Sequence, residues 1–522
     1  MRRSKTASLA TVALAGFLGV SIGAHALDAD PAEATRMRQT IERFLGAPEP
    51  GAPSVIEVTP VGDHYDVGID LDRLAAPIRN FGVDLKLGRL AFRLTPKGDG
   101  TLGYAADRIE PMSWGFAGQT GRIAFEDLHA EGIFDPALAG FSSQTLHVGR
   151  IVTEQTAPAK DDVPRIDIRK VDEAVDMTMS ARAAASGSGI DATVVQTSRN
   201  AVETLTLTEG TAKGIPDIEA TLKVAATRTD IAIAGFRALP FYDLWAHLVA
   251  HHAPEDFTTR QADLKARIAA LGPVFETMHQ TVKLDAVEIE TPVGFGSLAG
   301  VQVDLDLAGV TRDGFGDLRI ALTGLEMHSL FIPKWAQTLI PVDLTLHGRG
   351  AGWDAAAALA AFLDSADFAA SKPLTPDAEI RILGLLLPKG SLSIDLAGNH
   401  ARAGIWDLTL DGHLDTGPNG ARGTVTVRAT GLDKVAATLA DPKVPAELKA
   451  AIGEIDKATS LAERQPDGSL LWRFDIDGSA VSVNGRSLAE PTPPAPAAPV
   501  TPEPAPKSKS KAKPEKSGEK KV

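Results

Sequence analysis

The chain has no cysteine in 522 residues, which excludes disulfides, thiol nucleophiles and thiolate-held metals. An oxidising compartment permits disulfides without requiring them, and a large core does not need them. Aromatic side chains are scarce at 5%, so any core must be built mainly from aliphatic residues and alanine. Long apolar runs are missing too: beyond the N-terminus no segment has eighteen uncharged apolar residues, the least a membrane-crossing helix needs. Positive charge is in deficit over most of the length. The whole chain carries −14. Residues 1–26 carry +3 and the segment from Ala489, with seven Lys and four Glu, another +3, which leaves −20 on the residues between. An acidic body of this size argues against a nucleic-acid partner, since phosphate binding takes a basic footprint.

The first 26 residues form an export leader by pattern. Arg2, Arg3 and Lys5 give a positive start, Leu9 to Ile22 is an uncharged apolar run of fourteen residues, and Ala24-His25-Ala26 places small residues where a signal peptidase needs them. The run is short for the roughly 30 Å hydrocarbon core, so cleavage after Ala26 and a periplasmic address are expected, with an uncleaved anchor as the alternative. No cysteine follows the run, so a lipoprotein is excluded.

The rest is organised around Lys283 to His347. There Val301, Val303, Leu305 and Leu307 alternate with Asp304 and Asp306, and Val342, Leu344 and Leu346 alternate with Asp343 and Thr345. Period two puts apolar side chains on one face of a sheet and polar ones on the other. Upstream, Ala32 to Leu45 has helical spacing, Val55 to Val58 and His64 to Ile69 read as a hairpin, and Leu90 to Tyr104 as another. Turns are expected at Gly132, Gly140 and Gly149. Short strands follow at Arg165–Ile168, Ala174–Met179, Asp191–Gln196, Ala201–Thr208 and Asp217–Ala226. Two helices are expected between Pro240 and Val282, the second (Thr258 to Val282) kinked at Gly272-Pro273. A further helix is expected over Trp353 to Phe368, strands at Ala378–Leu385, Ser391–Leu396, Trp406–Leu410 and Arg422–Thr430, then a helix pair from Leu432 to Arg464 and a closing hairpin. From Ala489 the chain is Pro/Ala-rich and then Lys-rich, and disorder is expected.

Several short strings recur. Thr-Pro-x-Gly-Asp begins at Thr59 and Thr95, with Thr-Pro-x-Gly at Thr291. Asp-Leu-Ala-Gly begins at Asp306 and Asp395, and Asp-Leu-Thr-Leu at Asp343 and Asp407. The Pro-Gly strings carry turn chemistry, and the echoes raise the expectation of a repeated strand-turn unit.

The closing stretch LLWRFDIDGSAVSVNGRSL (Leu470 to Leu488), after a helix pair, resembles the C-terminal signature of the YdgA-like envelope proteins and the related exported domain-of-unknown-function family 2125. The matching residues are Asp477, Gly478, Val483, Asn484 and Gly485. The resemblance covers about the last hundred residues, and more loosely the strands from Lys283. It implies an exported, non-enzymatic envelope protein with a long antiparallel sheet, and no functional residue is carried over. A more distant similarity is to AsmA-like envelope proteins, whose grooved β-structures are associated with lipid movement; this chain departs from them in lacking a clear N-terminal anchor.

Candidate chemistry is sparse. His247 and His251, four residues apart near a helix end, are candidate metal ligands by spacing, but Leu248 stands where a zincin pattern requires Glu, and histidines in a last turn also suit the helix dipole. Asp304/Asp306 and Asp475/Asp477 sit at period two, where a solvated strand face is normally charged. No Gly-x-Ser-x-Gly elbow or phosphate loop occurs. No catalytic residue and no cofactor are therefore expected.

The resulting expectation is a mainly β protein with α (α+β): a long curved antiparallel sheet built from consecutive hairpins and packed by a few amphipathic helices. Its parts are a signal peptide (1–26), an N-terminal β-rich region (27–235), a C-terminal β-rich region (236–488) with helices near 240–282, 353–368 and 432–464, and a disordered tail (489–522). The expected function is non-enzymatic, with a lipid or other hydrophobic ligand held in a sheet groove. The alternatives are an envelope scaffold binding other proteins and, third, an enzyme without a known motif. The Lys-rich tail adds an expected peripheral contact with membrane or cell wall.

Overall fold

The computed structural model describes residues 29–488 apart from 46–53, 76–78, 80–81, 160–163, 209–216, 252–253 and 419. The expected leader, with its cleavage point at Ala26, and the expected tail lie outside the described residues. The helix α1 (Pro31–Leu45) opens the fold. Its Met37, Ile41 and Leu45 recur every four residues, so they share one stripe. All three are buried in one core with Tyr65, Phe92, Leu94, Leu102 and Phe134. The Phe134 and Phe141 rings meet edge-on at 5.6 Å, and Tyr104 meets Phe141 at 4.9 Å.

Among the described residues, 23 strands form a single antiparallel sheet. It starts with β1 (Ile56–Val61), β2 (His64–Asp70), a short pair β3 (Val83–Lys86) and β6 (Met112–Phe116), and β4 (Arg89–Pro96) with β5 (Leu102–Ala106). Seven long strands follow: β7 (Gln119–Asp135), β8 (Gly140–Ala157), β9 (Arg165–Ala183), β10 (Ile190–Thr208), β11 (Ile218–Phe236), β12 (Thr277–Thr291) and β13 (Gly294–Ala308). Then come β14 (Gly314–Thr323), β15 (Glu326–Ser329), β16 (Asp343–Trp353), β17 (Leu392–Arg402), β18 (Asp407–Gly417), β19 (Gly420–Thr430), β20 (Glu463–Arg464), β21 (Leu470–Gly478), β22 (Ala480–Val483) and β23 (Arg486–Leu488). Each long strand pairs with its sequence neighbours, so the sheet is a meander from β7 to β14. The ladder passes unbroken from β11 to β12, across the boundary expected at 235/236. The C-terminal edge ends in strands of four and three residues, too short to template further pairing.

Among the described residues the other helices include α2 (Leu71–Leu74), α3 (Ala238–Ala250), α4 (Pro254–Thr259), α5 (Gln261–Leu271), α6 (Lys334–Gln337), α7 (Ala355–Ser365), α8 (Pro376–Leu386), α9 (Leu432–Leu439) and α10 (Ala446–Leu461). α3 is anchored through Ala238 and Tyr242 against Ala139 of the β7–β8 turn. α10 is fixed to β21: Trp472 Nε1 donates to the Ala458 carbonyl at 2.7 Å, and Asn484 Nδ2 donates to the Leu461 and Leu471 carbonyls, each at 2.9 Å.

Three local expectations give way. Ala378–Leu385 is not a strand but the body of α8. Thr375 Oγ1 accepts from Ala378 N, Pro376 stands first and acidic Asp377 and Glu379 fill the first turn, and these start signals outweigh a short apolar run. The helix expected over Thr258–Val282 stops at Leu271, where Gly272 takes φ 55, and 277–282 enter β12. The short strands expected through 165–208 fuse into β9 and β10, while Gly132 and Gly149, expected as turns, lie inside β7 and β8.

The fusion has a cause. Asp127, Ala174, Asn200 and Ala286, all within strands, have φ between 46 and 52, the left-handed region that costs a non-glycine residue about 1–2 kcal/mol. They lie in a line. Asp127 is opposite Gly149, which the flanking pairs of β8 and β9 set opposite Ala174; Asn200 and Ala286 flank Ala225 on either side. Between β9 and β10 the register slips at this line. Bulges of this kind bend strands and increase their twist, so one crease crosses six strands. The apolar alternation changes phase there, from Ile123 and Phe125 to Leu128 and Ala130 in β7, which reads from sequence as a turn.

Each Thr-Pro-x-Gly string marks a hairpin: β1–β2, β4–β5 and β12–β13.

Packing differs between the ends of the sheet. Phe134 is fully buried, whereas Leu318 of β14 is 42% exposed. In urea denaturation Phe134→Ala should cost about 3–5 kcal/mol, and Leu318→Ala under about 1 kcal/mol. Equal losses would mean that β14 carries a closed core.

Candidate functional site

From β12 onward the alternating residues fall into transverse rows. Val282, Val303, Ile320 and Leu346 are partners on β12, β13, β14 and β16. Val301, Leu322, Leu344, Ala401 and Leu408 continue the next row through β17 and β18. Leu307, Gly316, Gly350, Ile394 and Leu414 form another. Side chains at period two share a face, so these rows make one apolar surface. Every apolar side chain of these rows in β13, β14, β16, β17 and β18 is only half-buried or exposed. Five strands at about 4.8 Å spacing make this surface about 19 Å wide.

The two ends of the surface differ. Gly352, with φ 98, turns Trp353 onto the apolar face. Its indole lies across Gly314, Gly316 and Gly350: a Cβ on Gly314 would sit 1.9 Å from Nε1, and one on Gly316 3.5 Å from the ring. These glycines give the indole its bed. The expected helix start at Trp353 instead falls at Ala355, where Asp354 Oδ1 caps by accepting from Ala357 N at 2.8 Å. At the opposite end a cavity of about 270 Å³ is lined by Val287, Ile289, Phe295, Leu298, Leu325, Met327 and Ile332. Leu284 and Val301 of the surface pack with Val287 and Leu298 of the cavity wall, so the two are continuous.

The opposite face is a polar ladder. His279, Asp306, Asp317, Arg349, Asp395, His413, Thr424 and Asp475 are successive partners across eight strands. The Asp-Leu-Ala-Gly echo thus sets Asp306 and Asp395 in one row. The Asp-Leu-Thr-Leu echo sets Asp343 and Asp407 on either side of Arg402. His279 lies 2.6 Å from Asp306, His347 2.9 Å from Asp317, and His413 2.6 Å from Asp395. Asp304 accepts from Thr281 and Gln302, and Asp475 from Thr424 and Arg473. The Gly324 amide and the Arg402 guanidinium hold the Asp343 carboxyl below its ordinary range. The aspartates therefore serve one another's strands as cross-strand partners.

His247 and His251 meet edge-on with ring centroids 4.9 Å apart, and His247 Nδ1 lies 3.3 Å from Asp263 of α5. Burial pushes the His247 pKa down. Among the described residues no group of three His, Cys, Asp or Glu is placed to hold a metal ion. His247 thus joins α3 to α5 through Asp263. The sequence pattern marks Trp353 only as a helix start and gives no role to Leu330 or Phe331; the Gly before Trp353 and the charge-free run from Met327 to Pro333 are the signals that carried them.

No family model, curated protein or solved structure matches the chain. Among the described residues no helix is long and apolar enough to cross a membrane. The residues behind the envelope-family resemblance have structural work here. Asp477 and Gly478 close the β21–β22 hairpin, and Asn484, at φ 49, ties it to α10.

The hydrogen bond to Asp395 raises the His413 pKa above its ordinary value. A raised histidine stabilises the fold fully below about pH 6.5 and loses that contribution as pH rises through the folded pKa. His413→Gln should therefore lower the melting temperature at pH 5.5 and leave it unchanged at pH 9. A loss of equal size at both values would assign His413 a packing role.

Proposed function

We propose that this chain is an exported, non-catalytic envelope protein that holds an elongated apolar ligand, such as a lipid acyl chain, against the rows of β12 to β18. The observation carrying the reading is that five consecutive strands present aligned apolar rows without a fully buried side chain. Monomeric proteins rarely leave so continuous an apolar surface without a use for it. The magnitudes are adequate. About ten methylenes buried at about 0.8 kcal/mol each match the roughly 8 kcal/mol of micromolar affinity, before ordering costs. The leader-like first 26 residues support export, and the resemblance at Leu470–Leu488 supports an envelope role.

A scaffold that binds other envelope proteins is the second reading. It draws on α8, whose Ile380 is 71% exposed and whose Leu383 is exposed beside it.

Binding of a hydrophobic dye, and its displacement by a long-chain fatty acid, tests the choice. Leu346 is 50% exposed, so Leu346→Asp should fold normally while lowering dye and fatty-acid affinity at least about tenfold, as expected for a charge set in an apolar contact. The double change Ile380→Asp and Leu383→Asp should leave both affinities intact. Wild-type protein that takes up neither dye nor fatty acid would sink the ligand reading in favour of the scaffold.

A further inference from the structure

Beside the mouth of the 270 Å³ cavity the chain projects an apolar tip. Leu330 is 88% exposed and Phe331 76% exposed, and Val293 of the β12–β13 turn is exposed next to them. Such side chains normally fold back onto the protein, but here the backbone holds them out. Leu330 N donates to the Val293 carbonyl at 3.2 Å, Ser329 Oγ to the same carbonyl at 3.1 Å, and Phe331 N to Ser329 Oγ at 3.2 Å. Two adjacent loops are thereby tied into one protrusion. No Asp, Glu, Lys or Arg lies between Thr291 and Val303 or between Met327 and Pro333. The next residues are exposed Lys334 and half-buried Trp335, a cation and an amphipathic ring of the kind that settles at a bilayer interface.

We infer that the Val293/Leu330/Phe331 tip inserts into the interfacial region of a phospholipid bilayer and sets the cavity mouth against it, so that an acyl chain passes between bilayer and sheet without crossing water. This rests on the proposed binding of an apolar chain by the sheet and adds where that chain enters. Area argues for a bilayer over a protein partner or a second copy. A stable protein interface takes about 800 Å² from each side, far more than three side chains on a narrow tip supply. A bilayer has no such threshold, because each inserted apolar side chain adds to the affinity on its own. The cavity behind the tip is lined by Ile289, Leu298 and Met327, and its Val287 and Leu298 belong to the cluster that takes in Leu284 and Val301 of the open rows.

The test is co-flotation of the protein, without its first 26 residues, with vesicles of phosphatidylethanolamine and phosphatidylglycerol. The wild type is compared with Leu330→Asp/Phe331→Asp and with Leu346→Asp. The tip variant should lose at least about tenfold in vesicle partitioning, keep the wild-type melting temperature, and still bind fatty acid presented in solution. Leu346→Asp should float like the wild type and fail in fatty-acid binding. Flotation of the tip variant at the wild-type level would overturn the inference, as would a wild type that stays with the buffer. A wild type that instead dimerises in sedimentation, with the tip variant monomeric, would reassign the tip to self-association. Loss of fatty-acid binding by wild-type protein that still floats would strike the sheet reading and leave bilayer docking standing.

Discussion

Register is the constraint on which this molecule depends. A strand side chain changes face with every one-residue shift, so a meander of this length keeps one apolar and one polar face only if each pairing is held. Several devices hold it here. The Thr-Pro-x-Gly turns set hairpin registers at three places. The crease of left-handed residues shifts the phase of alternation together across neighbouring strands rather than in one alone. On the polar face, partners such as His279–Asp306 and His413–Asp395 link adjacent strands. Exposed pairs of this kind contribute little each, but a one-residue slip would turn a strand's aspartates onto the apolar face.

The same arrangement explains how an acidic body tolerates its charge. The aspartates that dominate the middle of the sequence are spread along rows where Arg349, Arg402, His347 and His400 stand on neighbouring strands. Cross-strand neutralisation offsets part of the repulsion between close carboxylates such as Asp306 and Asp317, and from β13 to β18 the other face carries no charged side chain. The two faces follow from one alternating pattern. At the N-terminal end α1 and the aromatic cluster around Phe134 close the apolar face into a core, while from β13 to β18 it stays half-open. That difference in cover motivates the proposed ligand-binding role.

Much of this was legible in the sequence. The mainly β class, the antiparallel sheet from consecutive strands and the packing helices follow from period-two alternation in runs such as Val301 to Leu307 and from the four-residue spacing of Met37, Ile41 and Leu45. What misled was local. A left-handed residue at Ala174 or Asn200 interrupts alternation as a turn would, yet the ladder continues through it. Ile380 to Leu386 resembles a strand by apolar content, and only the Thr375-Pro376 start shows the helix. The site was less legible. The alternation marks which residues share a face, but not whether helices cover that face, because cover depends on contacts remote in sequence. The bed of Gly314, Gly316 and Gly350 under Trp353 joins residues almost forty positions apart, and no spacing rule connects them. The histidine pair His247 and His251 does share a helix face, as its spacing indicates, and tertiary packing then set Asp263 beside it.

The measurement that bears most directly on the open apolar face is mass spectrometry of an organic-solvent extract. The protein would be purified without detergent, with a mock purification alongside. A lipid near stoichiometric amounts, absent from the mock sample and from Leu346→Asp, is the result expected of rows that hold an acyl chain. An extract indistinguishable from the mock sample would contradict that role and leave the exposed rows and α8 to be explained by protein partners.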